Sequence, residues 1–238
     1  MLLLALDSAE AACSAALWDS ARAEAEALIG HRRLTSAHGQ ADQLVALIDD
    51  LLGAARIEYR ALGAIAVNHG PGGFTGLRSA VAAARGLALA ADLPVLAVTS
   101  LEALAAAVPE SATDTLVAAL DARRGEVYVQ VFDQRNEPRT APAALLPDQV
   151  AADLEPGPLR LVGSGAMLIR AALPASRPVV IESAELDARW IAKRAARRLA
   201  AGERPLPGGS VRPLYLRPPD ARPQAPLVAR ARALAVGT

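Results

Sequence analysis

The residues of this 238-residue chain that could do chemistry are few, and they sit mostly beside glycines. His31, His38 and His69 are its three histidines. A helical metal pair needs ligands at i and i+4, but the residue four after His38 is Asp42, and His31 lies in a polar stretch outside any helix. No metal site is expected. Cys13 falls inside an apolar run and reads as a small core residue rather than a nucleophile. No serine occupies a Gly-x-Ser-x-Gly elbow, and Gly163-Ser164-Gly165 reads as a plain strand-to-helix turn. No catalytic residue is expected either. Asp7 and Ser8 close the first apolar run, where Asp and Ser side chains stabilise a turn by bonding to their own backbone. The sharpest pattern is His69-Gly70-Pro71-Gly72-Gly73-Phe74-Thr75-Gly76-Leu77-Arg78. Pro71-Gly72 suits a type II turn with a positive φ at the glycine, and Thr75 can cap the helix that follows. A glycine loop feeding a helix start is an anion site in principle. It matches neither the P-loop nor the dinucleotide fingerprint, because no Lys-Ser/Thr pair ends it and the glycine spacing differs. Arg189, Lys193, Arg194, Arg197 and Arg198, with Arg212, Arg217 and Arg222, form the local positive clusters. They read as a solvated face, with nucleic-acid phosphates as the alternative contact.

These residues must be held by elements that the apolar pattern outlines. Residues 2–6, 13–18 and about 23–29 read as strands. Ser36 is a plausible N-cap for a helix in which Leu44, Leu47, Ile48, Leu51 and Leu52 recur at helical spacing. Residues 62–67 then form a buried strand, 77–91 a helix and 94–98 another strand. Strand, strand, strand, helix, strand, helix, strand is a mixed sheet with helical crossovers, an α/β class. A second, weaker cycle follows. Residues 115–120 and 126–132 form a hairpin around 122–125, with Val127, Val129 and Val131 alternating against Tyr128, Gln130 and Phe132. Residues 159–162 and 179–181 are short strands, and 187–201 is a helix. Seven prolines in 205–226 forbid a packed helix there and suggest an extended or disordered tail. The expected division is 1–108, 109–217 and a disordered 218–238.

Composition narrows the partners. At 53% apolar the chain can bury one large core or two modest ones. Lys plus Arg and Asp plus Glu are equal at 25 each, so no net field draws it to nucleic acid or a membrane, and any RNA contact must be local or delegated. One cysteine excludes an intramolecular disulfide and fits a reducing compartment. Asp7 ends the apolar run 1–6 before a signal core or a membrane span forms, so a cytoplasmic location is expected.

The stretch Gly70 to Arg78 resembles a segment of the TsaB family that reads Gly-Pro-Gly-Ser-Phe-Thr-Gly-Leu-Arg, with Gly73 in place of the serine. The opening Leu4-Ala5-Leu6-Asp7-Ser8, the helix carrying Leu44 to Leu52, the segment from Asp121 to Tyr128 and Val211-Arg212-Pro213-Leu214-Tyr215-Leu216-Arg217 support the likeness. It covers residues 1–217 and is strongest in the first 130. It implies an actin-like, ribonuclease-H-like fold of two similar α/β halves with mixed sheets, as in actin, sugar kinases and heat-shock ATPases. Leu4 to Glu10 is similar to the first phosphate loop of such ATPases, and Asp121 falls at their second. Active members follow that acidic residue closely with glycines. Here Ala122, Arg123 and Arg124 follow, with only Gly125 beyond. The loops at Asp7, Ser8, Asp121 and Gly125 are thus expected to be degenerate, with no bound nucleotide or other cofactor.

The resemblance implies a non-catalytic subunit that pairs with a catalytic TsaD-like protein to form N6-threonylcarbamoyladenosine at position 37 of tRNAs reading codons that begin with A. A TsaE-like ATPase joins that complex, tRNA is met indirectly, and the chain alone can form a homodimer. Two helices of the family pack against the matching pair of a partner. The corresponding residues here are Leu44, Leu47, Ile48, Leu51, Phe74, Leu77, Ala80, Val81, Ala84 and Ala88, and two rows of small residues, Ala80/Ala84/Ala88 and Ala82/Gly86/Ala90, permit close approach. The rival readings are an actin-like ATPase or kinase using Asp7 and Asp121, a peptidase, or a free-standing homodimeric regulator.

Overall fold

A computed structural model of the chain describes residues 1–35 and 40–217. The expectations for Ser36, His38, Arg222 and the tail 218–238, and for the Asp42 side chain, lie outside the described residues. The first half runs β1 (Leu2–Asp7), β2 (Ala12–Asp19), β3 (Leu28–Thr35), α1 (Gln40–Ala55), β4 (Ala64–Gly70), α2 (Phe74–Ala91), β5 (Val95–Thr99) and α3 (Ser100–Ala107). Its sheet has the order β3-β2-β1-β4-β5. β1, β2 and β3 pair antiparallel, and β1, β4 and β5 pair parallel. Parallel neighbours need a crossover, and α1 and α2 supply it. β1 is apolar at every position from Leu2 to Leu6 because both its faces are covered. Leu3 and Ala5 join one core cluster, and Leu4 and Leu6 join another.

The second half repeats the scheme: β6 (Thr115–Asp121), β7 (Val127–Phe132), β8 (Ala143–Leu145), α4 (Pro147–Asp153), β9 (Leu159–Val162), α5 (Ala166–Ala172), β10 (Val179–Glu182) and α6 (Ala188–Ala200). Its sheet order, β8-β7-β6-β9-β10, is that of the first, element for element, with the same strand directions. This is the actin-like arrangement of two similar α/β halves that the resemblance implied. α6 lies across β1, β2, β4 and β5 and against α3, and α3 reaches β6. One cluster therefore runs through both halves, from Leu3 and Leu96 through Leu101 and Ile191 to Leu116 and Phe132. α1 and α2 cover the far face of the first sheet, and α4 and α5 that of the second.

Several elements differ from expectation. The third strand is 28–35 rather than 23–29, where a single 3₁₀ turn, Glu24–Glu26, lies instead. Its polar run, His31 to Arg33, lacks the alternation that marks a strand. As an edge strand it settles those charges by pairing, Arg32 with Asp50, Arg33 with Glu185, and His31 with Asp187. α3 went unread although Thr99 and Glu102 form a reciprocal capping box, each side chain accepting from the other's backbone N–H at 3.0 Å. The seven-residue helices α4 and α5 and the three-residue β8 are too short for periodicity to register.

Candidate functional site

At the carboxyl end of β1 the Asp7 side chain is fully enclosed. Its Oδ1 accepts hydrogen bonds from Asn68 Nδ2 (2.7 Å) and the Ala9 N–H (3.2 Å). Asn68 Oδ1 in turn accepts from Ser100 Oγ and the Gly70 N–H, each at 3.0 Å. Burial pushes the Asp7 carboxyl up to about 6, against the lowering pull of the Asn68 and Ala9 hydrogen bonds. The neighbouring Ser8 is also buried, and its Oγ has no hydrogen-bond partner among the described residues.

The glycine loop fills the space beside this turn. The Gly73 N–H donates to the Ala9 carbonyl at 2.7 Å, and a Cβ on Gly72 would meet that oxygen at the same distance. This corrects the expected turn. The positive φ belongs to Gly70, at 121°, not to Gly72, and the N-cap of α2 is Gly73, with no side-chain bond from Thr75. Gly72 and Gly73 are small so that the loop can press on the β1–β2 turn. Gly70 needs its unusual φ, and a Cβ there would lie 2.9 Å from the Leu214 carbonyl.

Across the cleft, Asp121 is occupied by its own turn. Its carboxylate accepts the Arg123 N–H at 2.7 Å, and its N–H donates to Ser164 Oγ. Arg123, Arg124 and Gly125 all take positive φ, which is costly for the two arginines. The cleft between the halves, of about 520 Å³, is lined by Ala9, Glu10, Gly72, Asp121, Arg123 and Tyr128 among others. It presents the carboxylates Glu10 and Asp121 beside the Arg123 guanidinium, which lies 3.4 Å from Asp121, and burial raises the Glu10 carboxyl. His31 bonds Asp187, and His69 Nδ1 meets the Arg212 carbonyl, so the two described histidines serve separate contacts. Among the described residues no group of three or more His, Cys, Asp or Glu is placed to hold a metal.

The second candidate is the outer face of α1 and α2, and here the expected residue set needs correcting. Leu44, Ile48, Leu51, Leu77, Ala80, Val81, Ala84 and Ala88 are all buried in the chain's own core, and Leu47 packs partly against it. The sheet beneath claims the large apolar positions and the Ala80/Ala84/Ala88 row. Of the predicted set, Phe74 alone is openly exposed, at 58%. The outward row is the other one, Ala82, Gly86 and Ala90. With Val45, itself 49% exposed, Phe74, Thr75, Arg78, Ser79 and Ala83, Ala82 lines an open groove of about 560 Å³. Gly86 has open space where a Cβ would lie.

The segment 211–217 completes this face. The Leu214 N–H donates to the His69 carbonyl at 2.7 Å, which brings Tyr215 beside α2. There the Arg78 guanidinium lies 3.6 Å from the Phe74 ring centre and donates its Nε–H to the Tyr215 hydroxyl at 2.9 Å. Arg217 then reaches the second half, bonding the Ala122 carbonyl and the Glu126 carboxylate. The sequence marks Tyr215 only through the likeness, and it places Arg217 in a solvated positive cluster, which its bonds to Ala122 and Glu126 correct.

The basic helix is not a bare solvated face, because its cations pair within the chain. Lys193 pairs with Glu24 (2.8 Å), Arg194 with Glu102 (3.2 Å) and Glu137 (2.7 Å), Arg197 with Glu110 (3.0 Å), and Arg198 with Glu102 and Glu203. Arg189 pairs with Asp187, the N-cap of α6. Burial alone would raise the Asp187 carboxyl. Hydrogen bonds from His31 and from the backbone and side chain of Arg189 outweigh it and hold the group at about 2.

A sequence model of the family TsaD, tRNA N6-adenosine threonylcarbamoyltransferase, matches residues 35–161. The chain is 36% identical over 138 residues to the tRNA threonylcarbamoyladenosine biosynthesis protein TsaB of Escherichia coli K12, covering 58% of this chain and 57% of that protein, and so spans little more than half the length of that relative. It is 34% identical over 226 residues to an uncharacterized protein of Mycobacterium tuberculosis H37Rv, 94% of this chain and 95% of that one. Among solved structures, YeaZ from Pseudomonas aeruginosa is similar with a TM-score of 0.76 at 33% identity, covering 90% of this chain and 99% of that one.

Proposed function

The chain belongs to the TsaB/YeaZ family, and from that premise we propose that it is a non-catalytic subunit in the biosynthesis of N6-threonylcarbamoyladenosine in tRNA. In this reading it docks a catalytic TsaD-like subunit through the outer face of α1 and α2. The modified base is adenosine 37 of tRNAs reading codons that begin with A, a TsaE-like ATPase engages the assembled pair, and tRNA is met through the complex. Alone, the same face closes on a second copy. The compartment is the cytoplasm, a placement with which the lack, among the described residues, of a helix long and apolar enough to cross a membrane agrees.

The observation that carries the docking reading is the groove in which Val45 and Phe74, each about half exposed, lie together with Ala82 and Ala83 on adjoining helices. Support for the non-catalytic reading comes from the cleft. Asp7 is sealed in a hydrogen-bonded network, Gly72 and Gly73 press on Ala9, and Asp121 is bound to its own turn. Cys13 is buried, and Ser14 Oγ accepts from the Ala188 N–H at 2.9 Å, leaving neither as a nucleophile beside a base.

Co-elution in size-exclusion chromatography with the TsaD-like protein of the same organism tests the proposal. The unaltered chain is expected to form a heterodimer, and Ala82→Arg to remain a folded monomer that no longer pairs, since a bulky charge in the groove lacks a partner. An Ala82→Arg chain that still co-elutes places the contact elsewhere.

A further inference from the structure

We propose that Arg78 is a pre-set carboxylate receptor at this groove, taking an Asp or Glu side chain from a helix of the docked protein. The proposal rests on the docking reading above and adds the chemistry the partner must bring. The Arg78 guanidinium is fixed before any partner arrives. It is stacked 3.6 Å from the Phe74 ring centre, lies 6.0 Å from that of Tyr215, and is bonded through Nε to the Tyr215 hydroxyl. That bond uses one of the five N–H donors of an arginine. The other four, on Nη1 and Nη2, make no hydrogen bond or ion pair among the described residues. The α6 cations contrast with it, since each already holds a carboxylate.

The surroundings dictate what the receptor takes. Val45, Ala82 and Ala83 make the adjacent wall apolar, so docking a protein there removes water from Arg78. A dehydrated cation without an anion is costly, whereas a carboxylate can accept both Nη groups in parallel. A nucleic-acid backbone fits poorly, because phosphate binding draws on several free cations, and those of α6 are committed within the chain. Phe74 and Tyr215 are two of only seven aromatic residues in the chain, and both are exposed around this one arginine. Aromatic and arginine side chains together are the common anchors of protein interfaces. Tyr215 acts as a positioning residue, delivered by the 211–217 segment that His69 anchors.

The test uses the full chain with the recombinant TsaD-like protein of the same organism, with affinity measured by calorimetry and the fold of each variant checked by circular dichroism. Arg78→Ala is expected to weaken binding by about 30-fold or more, as truncating one side of a buried charge pair does. Arg78→Lys fails to restore it, because an ammonium lacks both the fork and the stacking plane. Tyr215→Phe keeps the ring, loses the acceptor and weakens binding by a few-fold. Arg78→Glu regains affinity when one interface carboxylate of the partner is exchanged for arginine. Ala82→Arg separates the two readings. If it binds normally, the docking reading itself fails. If it abolishes binding while Arg78→Ala stays within two-fold, docking stands and the receptor is overturned. Arg78→Glu that no acidic-to-arginine exchange on the partner rescues also overturns it. So does a loss of tRNA binding by Arg78→Ala with partner affinity unchanged.

Discussion

Replacing Asp7 with asparagine is expected to stabilise the protein, and to do so only where the carboxyl is ionised. Burial raises this group from its ordinary 3.8 to about 6. At about 1.4 kcal/mol for each factor of ten in proton affinity, the folded state bears a cost of about 3 kcal/mol for holding the charge. The sign follows from which state titrates first. Below about pH 3.8 both the folded and unfolded chains carry the proton, and there is no cost. Between 3.8 and about 6 the unfolded chain ionises first and stability falls, and above about 6 the full cost stands. Asparagine keeps an Oδ1 that can accept from Asn68 and Ala9, but its buried NH₂ needs an acceptor of its own, which takes back about 1–2 kcal/mol. The expected net gain at pH 8 is therefore about 1–2 kcal/mol, or a midpoint higher by roughly 2–8 °C for a chain of this size. At pH 4 the variant is expected to be neutral or slightly weaker than the parent. Urea unfolding of both proteins at pH 4, 6 and 8 measures this. Taking the difference removes the separate acid effect of Asp187. An equal difference at every pH, or a variant weaker at pH 8 than at pH 4, refutes the account of Asp7 as a charge held against its environment.

On α2, Gly86→Ala should raise the stability of the isolated chain by about 1 kcal/mol, because its Cβ meets open space and alanine is the better helix former, whereas Ala84→Arg should give no folded protein; thermal melting separates them. Calorimetry with ATP and magnesium should show no binding in the low micromolar range, which would need about −8 kcal/mol from a cleft whose two loops are spent on their own turns. Asp187→Ala should cost about 2–4 kcal/mol, since it removes the N-cap of α6 and leaves His31 and Arg189 without their carboxylate. In the parent that contribution is present above about pH 4 and lost as pH falls toward 2, and denaturant midpoints across that range check it.

What could be read from the sequence divides along physical lines. β1, β4 and β6 are doubly covered, so their apolar runs announced themselves, and the glycine loop was visible because nothing else explains so many glycines before a helix. β3 was placed too early because two of its charged groups, His31 and Arg33, are paired with residues more than 150 positions away, which no local pattern contains. On α1 and α2 most of the residues expected at an interface turned out to be the chain's own core. Leu44 and Ile48 on α1, and Ala80, Ala84 and Ala88 on α2, recur at helical spacing because the sheet beneath requires it, and the outward row of Ala82, Gly86 and Ala90 has the same period. Periodicity fixes a face and leaves open which neighbour it meets. Tyr215 could not be assigned to this face from sequence, since its neighbour Arg78 is 137 positions earlier.

That last separation has a consequence for how the molecule matures. The groove between α1 and α2 is built from the first half, but the ring and hydroxyl that fix Arg78 come from Tyr215, which the 211–217 segment brings past the end of β4 before it reaches the turn at Glu126. A chain that ends before Tyr215 therefore lacks the contacts that orient the Arg78 fork. On the docking proposed above, a partner that reads the fork would discriminate finished molecules from fragments, and assembly itself would serve as a check on the integrity of the chain.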